Sequence, residues 1–303
     1  DMDVVAKDLW FPEGPLMLPD GNLVVVEIRR QTLTHIRKDG VKTIIAKTGG
    51  GPNGAALGPD SQIYICNNGG LGWRPSGNKY LPDGNLSAKA NGRIERVSLD
   101  SGLLEVLYET DGERKLRAPN DIVFDAFGGF WFTDFGRSRE RDRDYGSVCY
   151  AMADGSKIRE VLFPLIEPNG LGLSPDGKTL YVSETGTAKV WAWDVSSPGE
   201  IMRSRSHLPY KDGRLVFSPP NLRSFDSMAV EAGGNICIGT LGLGGITVCT
   251  PQGLELDFLS VPDPLTTNIC FGGDNMDDAY ITASLSGRLL RYKWPRSGLK
   301  LNN

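Results

Sequence analysis

The sequence holds only two histidines, His35 and His207, among 303 residues. A three-histidine zinc centre is therefore excluded, and the two lie too far apart for an HExxH-type pair. A Ser–His–Asp or Cys–His relay is left with only two candidate bases. The five cysteines, Cys66, Cys149, Cys237, Cys249 and Cys270, are odd in number and form no CxxC pair. Each sits in or beside an apolar run, which predicts buried free thiols and a reducing compartment; the expected location is the cytoplasm. The opening residues, Asp1-Met2-Asp3-Val4, show neither a basic nor an apolar leader. No apolar run approaches 18 residues, so no membrane span is expected. With 33 Lys plus Arg against 37 Asp plus Glu, the net charge is −4 and no basic stripe is present, which disfavours nucleic acid as a partner. No window longer than about ten residues carries a 3.6-residue period, so long helices are not expected.

The sequence does have 38 glycines, and they are organised. Six segments share one pattern: an acidic or amide residue, a small residue, an apolar stretch, a polar turn and a β-rich run. The turns are Pro-Asp-Gly in type, as in Pro19-Asp20-Gly21 and Pro175-Asp176-Gly177. The anchors are Glu13, Asn53, Asn120, Asn169, Asp226 and Asn268, separated by 40, 67, 49, 57 and 42 residues. A minimum near 40 matches a four-stranded blade. Further strand-like runs lie between the anchors, such as Arg93–Val97 with Leu103–Tyr108. The expected fold is all-β, a six-bladed β-propeller of four-stranded antiparallel blades filling residues 1–303 as one domain. Val4-Val5-Ala6 is expected to close the ring against Leu289-Leu290-Arg291-Tyr292.

In such a fold the anchors converge on the central channel. One Glu, one Asp and four Asn are costly to bury without partners. A bound cation resolves this, because two carboxylates and amide carbonyls form an oxygen shell for a hard ion. One divalent metal is expected: calcium by default, magnesium or manganese as alternatives, zinc the least suited to a shell without His or Cys. Asn and Asp also open strands and cap turns by bonding their own backbone, which accounts for any single anchor better than for six in register.

These segments resemble the gluconolactonase/regucalcin (senescence marker protein) family, with diisopropyl-fluorophosphatase as a more distant relative. The residues that carry the resemblance are Pro12-Glu13-Gly14-Pro15, Ala118-Pro119-Asn120-Asp121, Glu167-Pro168-Asn169-Gly170, Asp226-Ser227-Met228-Ala229-Val230 and Asn268-Ile269-Cys270-Phe271-Gly272-Gly273. The resemblance implies one divalent metal in the channel, held by Glu13, Asn169 and Asp226. Asn120 is implied as a fourth ligand or a substrate contact. Ser227 departs from the Gly common after the metal-binding Asp. A substrate-binding Arg is implied at Arg117, which stands three residues before Asn120 where the pattern has two.

The expected chemistry is hydrolysis of a lactone, a small molecule of sugar type. The cation polarises the carbonyl, and Asp226 serves as base toward water. Alternatives are attack by Asp226 on a phosphotriester or fluorophosphate, and a binding module with a structural ion. Asn53 and Asn268 are expected at the substrate. The longest gap, Asn53 to Asn120, carries an insertion containing Trp73, Arg74 and Tyr80 and running on through Asp83-Gly84; these aromatic and basic residues are expected to shape the pocket. The run Arg137 to Asp144 alternates in sign and reads as a solvated loop, the alternative being a loop at the mouth with Asp134 or Arg137 facing substrate. His35 and His207 read as structural or surface residues.

Overall fold

The computed structural model describes residues 1–83, 90–203 and 212–302. His207 and Gly84 lie outside the described residues. The described residues form strands and turns without a helix, arranged as six antiparallel sheets in a six-bladed β-propeller.

Why the second strand of each blade is so apolar follows from its place. Val24 and Val26 in Leu23–Glu27 pack toward blade 2, beside Ala55, Ile63 and Ile65. Val25, between them, packs the other way, beside Tyr280 and Leu289 of blade 6. In Ile63–Asn67 the split repeats, with Tyr64 and Cys66 turned to Phe124, Phe130 and Phe132 of blade 3. Both faces are buried, so period 2 appears as a continuous apolar run rather than an alternation. Outer strands such as Lys42–Lys47 face water on one side and are polar. The core is thus six inter-blade clusters around the ring. Cys66, Cys149, Cys237 and Cys249 are buried and Cys270 is partly so, all as free thiols.

Blade 1 comprises Pro12–Met17, Leu23–Glu27, Thr32–Ile36 and Lys42–Lys47. Blade 4 departs from the simple scheme. Its outer position is divided between Glu200–Ile201 and Arg214–Phe217, both paired to Lys189–Ser197. Blade 6 is built from Thr266–Gly272, Asp278–Ala283, Arg288–Lys293 and, outermost, the N-terminal Met2–Ala6. Met2 pairs with Tyr292 and Val4 with Leu290, so the ring closes as the sequence suggests.

Each inner strand breaks its ladder at or beside its anchor. Pairing skips from Glu13 to Leu16, Pro52 to Ala55, Pro119 to Ile122, Pro168 to Leu171, Phe225 to Met228 and Thr266 to Asn268. Such bulges re-aim side chains. After Glu13, Asn53, Asn169 and Asp226 the next residue is Gly or Ser, because neighbouring inner strands nearly touch: a Cβ on Gly54 would stand 2.4 Å from the Asn120 carbonyl oxygen.

Candidate metal centre in the central channel

Five of the six anchors are buried, and Asp226 alone keeps part of its surface open. Four lead-in segments are held by the last residue of the second strand. Glu27 accepts from Trp10 N at 2.6 Å, and Asn67 from Gly51 N at 2.9 Å. Asp134 accepts from Arg117 N and Ala118 N, both at 2.7 Å, and Glu184 from Ile166 N at 2.8 Å. Each acceptor therefore fixes the backbone two or three residues before Glu13, Asn53, Asn120 or Asn169. These residues carry no distinct signal beyond an acidic or amide group ending an apolar run; sequence reasoning assigned no role to Glu27, Asn67 and Glu184, and considered Asp134 only as an alternative facing substrate.

Among the described residues, the anchors' polar atoms are unequally engaged. Glu13 Oε2 accepts from Gly14 N at 2.6 Å and from Asn268 Nδ2 at 2.7 Å, while Oε1 has no partner. Asn169 Nδ2 donates to Thr185 Oγ1 at 3.0 Å, and its Oδ1 has no partner. Asn120 Oδ1 is likewise buried and unpartnered. Asp226 Oδ1 accepts from Ser227 N at 3.1 Å. Asn268 is committed to Glu13 and to Ile269 N at 2.8 Å, so it braces Glu13. Asn53 lines the same ring, its carbonyl against Gly14.

The electrostatics are those of crowded acids. Burial, then Glu13, raises the Asp226 carboxyl well above its ordinary range. Burial likewise raises Glu13, against hydrogen bonds from Asn268 and Gly14. A third carboxylate, Asp121, is pushed up to about 8, by burial first and by Glu13 second. It occupies the position that is Gly54 and Gly170 in blades 2 and 4, and it bonds Ile122 N at 2.9 Å. Although Asp121 is visible in the motif, nothing in the sequence pattern marked it as an addition to the site.

Three buried oxygens without partners beside two carboxylates are expensive unless something positive joins them. Among the described residues no group of three His, Cys, Asp or Glu side chains could hold a metal ion. The donor set of Glu13, Asn120, Asn169 and Asp226 is all oxygen and half amide, which fits a hard divalent cation.

The remaining candidates lie further out. Trp73 packs edge-on against Phe11, two residues before Glu13, with centroids 5.1 Å apart. Tyr80 is largely exposed and stacks on the Arg29 guanidinium at 3.4 Å, and Arg74 is exposed. The hairpin Trp73–Ser76 with Lys79–Pro82 thus leans toward blade 1. Arg117 pairs through Nε with Asp144 at 2.9 Å. Residues 138–143 are exposed, as a solvated loop should be, but Arg137 is buried. His35 is partly buried in Thr32–Ile36.

The architecture defines a class: a β-propeller with an oxygen-lined polar site on its axis. Within that class the particular relationship is clear. The SMP-30/Gluconolactonase/LRE-like region family matches residues 11–285, and the chain belongs to it. A gluconolactonase of Zymomonas mobilis subsp. mobilis is 26% identical over 93% of this chain and 79% of its own. The diisopropyl-fluorophosphatase of Loligo vulgaris is 25% identical over 98% and 93%. The crystal structure of a calcium-binding protein, regucalcin, from Agrobacterium tumefaciens superposes with a TM-score of 0.70 at 19% identity, covering 97% of this chain and 95% of that one.

Proposed function

We propose that this chain is a divalent-metal-dependent lactonase opening a sugar-type lactone. Glu13, Asn120, Asn169 and Asp226 hold the ion, with calcium preferred. The observation that carries the reading is the trio of buried, unpartnered oxygens on Glu13, Asn120 and Asn169. The gluconolactonase name of one relative supports the reaction, and the calcium-binding neighbour supports the ion.

When bound, the cation supplies Lewis acidity to a carbonyl oxygen and acidifies water beside it. The chain's own residues do the rest. Asp226 is the partly open anchor, and Ser227 N holds one of its oxygens. The other oxygen takes the proton of the attacking water and returns it to the ring oxygen that leaves. Asn268 fixes Glu13, and Thr185 fixes the Asn169 amide. Trp73, Arg74, Tyr80, Arg117 and Asn53 are proposed to border the substrate from the mouth. The fluorophosphatase relative favours a second reading, in which the same residues act on a phosphotriester.

Lactone opening releases acid, so a pH indicator follows it directly. We expect hydrolysis within a panel of aldonolactones, its loss on chelation, and its recovery with calcium, magnesium or manganese. Turnover of phosphotriesters alone would select the second reading. A chain inert toward both panels after metal addition would overturn the proposal.

A further inference from the structure

Arg137 follows the second strand of blade 3, Gly129–Asp134, at the same end of the propeller as the anchors. Its side chain crosses to blade 2. Nη2 donates to the Asn68 carbonyl at 3.0 Å and to the Arg117 carbonyl at 2.7 Å. Asn68 N in turn bonds the Gly51 carbonyl at 2.8 Å. The guanidinium therefore ties the lead-in segment of Asn120 to the strand end beside that of Asn53. It is only 6% exposed, and among the described residues its Nε and Nη1 have no partner.

The carboxylates around it are committed elsewhere. Asp134 accepts from Arg117 N, Ala118 N and Gly136 N. Asp144 accepts from Arg117 Nε and Arg139 Nη1. Among the described residues no carboxylate forms an ion pair with this guanidinium; a buried cation with two idle nitrogens is costly, and a planar fork suits a carboxylate or phosphate. Burial, then the charge of Arg117, pushes its pKa down, which is the same tension seen from the proton's side.

We propose that Arg137 is a specificity-determining residue that receives an anionic oxygen group on the substrate, so that the preferred lactone carries a carboxylate or phosphate besides its ring ester. This rests on the lactonase reading above. Its Nε and Nη1 donate to the anion, while Nη2 stays on the two carbonyls. Substrate is thereby held across blades 2 and 3, beside Asn120.

The test compares neutral glucono-δ-lactone with glucaro-1,4-lactone, which adds a carboxylate, and 6-phosphoglucono-δ-lactone, which adds a phosphate. In the wild type, kcat/KM should favour one or both anionic lactones, and which one identifies the group. Arg137→Gln should lower kcat/KM on the favoured anionic lactone by about 10- to 100-fold, mainly through KM, and on the neutral one by less than about 3-fold. Arg137→Lys keeps the charge without the fork and should fall between them. It also serves if the Gln variant folds poorly, which circular dichroism and Tm report. Equal losses on all three lactones, or no loss on any, would overturn the inference and leave lactonase activity standing. Should no lactone be turned over, calorimetry of the calcium-loaded protein with glucarate, 6-phosphogluconate and gluconate decides it separately. Tighter binding of an extra anionic group, lost in Arg137→Gln, supports the site; indistinguishable binding refutes it.

Discussion

Stripping the cation from the channel should make stability depend on pH in a direction opposite to that of most proteins. Glu13, Asp121 and Asp226 all hold their protons more tightly in the fold than an exposed carboxyl would. Between about pH 4 and pH 8 the folded, chelated chain thus binds more protons than the unfolded one, and stability falls as pH rises. For Asp121 the move from 3.8 to about 8 is worth on the order of 5 kcal/mol by pH 8, at about 1.4 kcal/mol per tenfold step. A cation beside these groups offsets their repulsion and binds the folded state alone. At 100 times its Kd it adds about 2.7 kcal/mol, which in a chain this size is a Tm rise of about 4 °C. The assay is a thermal melt of protein in chelator and in calcium, from pH 5 to pH 8.5. We expect Tm in chelator to fall steadily across the range, and calcium to raise it most at the alkaline end. A chelated protein that grows more stable with pH, or a Tm blind to calcium throughout, would refute both the crowding and the assignment of the ion.

Two further outcomes follow from the same geometry. Asp226→Asn should lower lactone turnover by roughly 1000-fold or more for loss of base and charge together, while circular dichroism shows the fold intact; retained turnover would remove its role as base. Gly54→Ala would drive a methyl to 2.4 Å from the Asn120 carbonyl, a backbone contact that cannot swing aside, and should cost about 1–3 kcal/mol in melts and weaken calcium binding by calorimetry.

How much could be read beforehand depended on whether a feature repeats. Glu13, Asn53, Asn120, Asn169, Asp226 and Asn268 were legible because an acidic or amide residue recurs at the head of each apolar inner strand. The closing pair Met2–Ala6 with Arg288–Lys293 was legible as two unmatched strands at the ends of the repeat. The divided outer strand of blade 4 was not, because outer strands pack on one face only and leave weak patterns. Glu27, Asn67 and Glu184 escaped notice, and Asp134 was considered only toward substrate, because their service is to backbone N–H groups, which every residue type offers. Arg137 was read first as part of a solvated charged run, with a place facing substrate as the alternative. Burial of a single arginine among exposed neighbours depends on carbonyls at Asn68 and Arg117, distant in sequence.

The strand Met2–Ala6 is made long before its partner Arg288–Lys293. Until that partner emerges, the earlier strand must carry an unpaired edge. The same seam joins Glu13 to Asn268, 255 positions apart in the chain. Glu13 gains that brace only once blade 6 is complete, so a truncated or stalled product has its first proposed ligand without its clamp. Binding of the ion would then favour chains in which blade 6 has closed on blade 1 over those in which it has not.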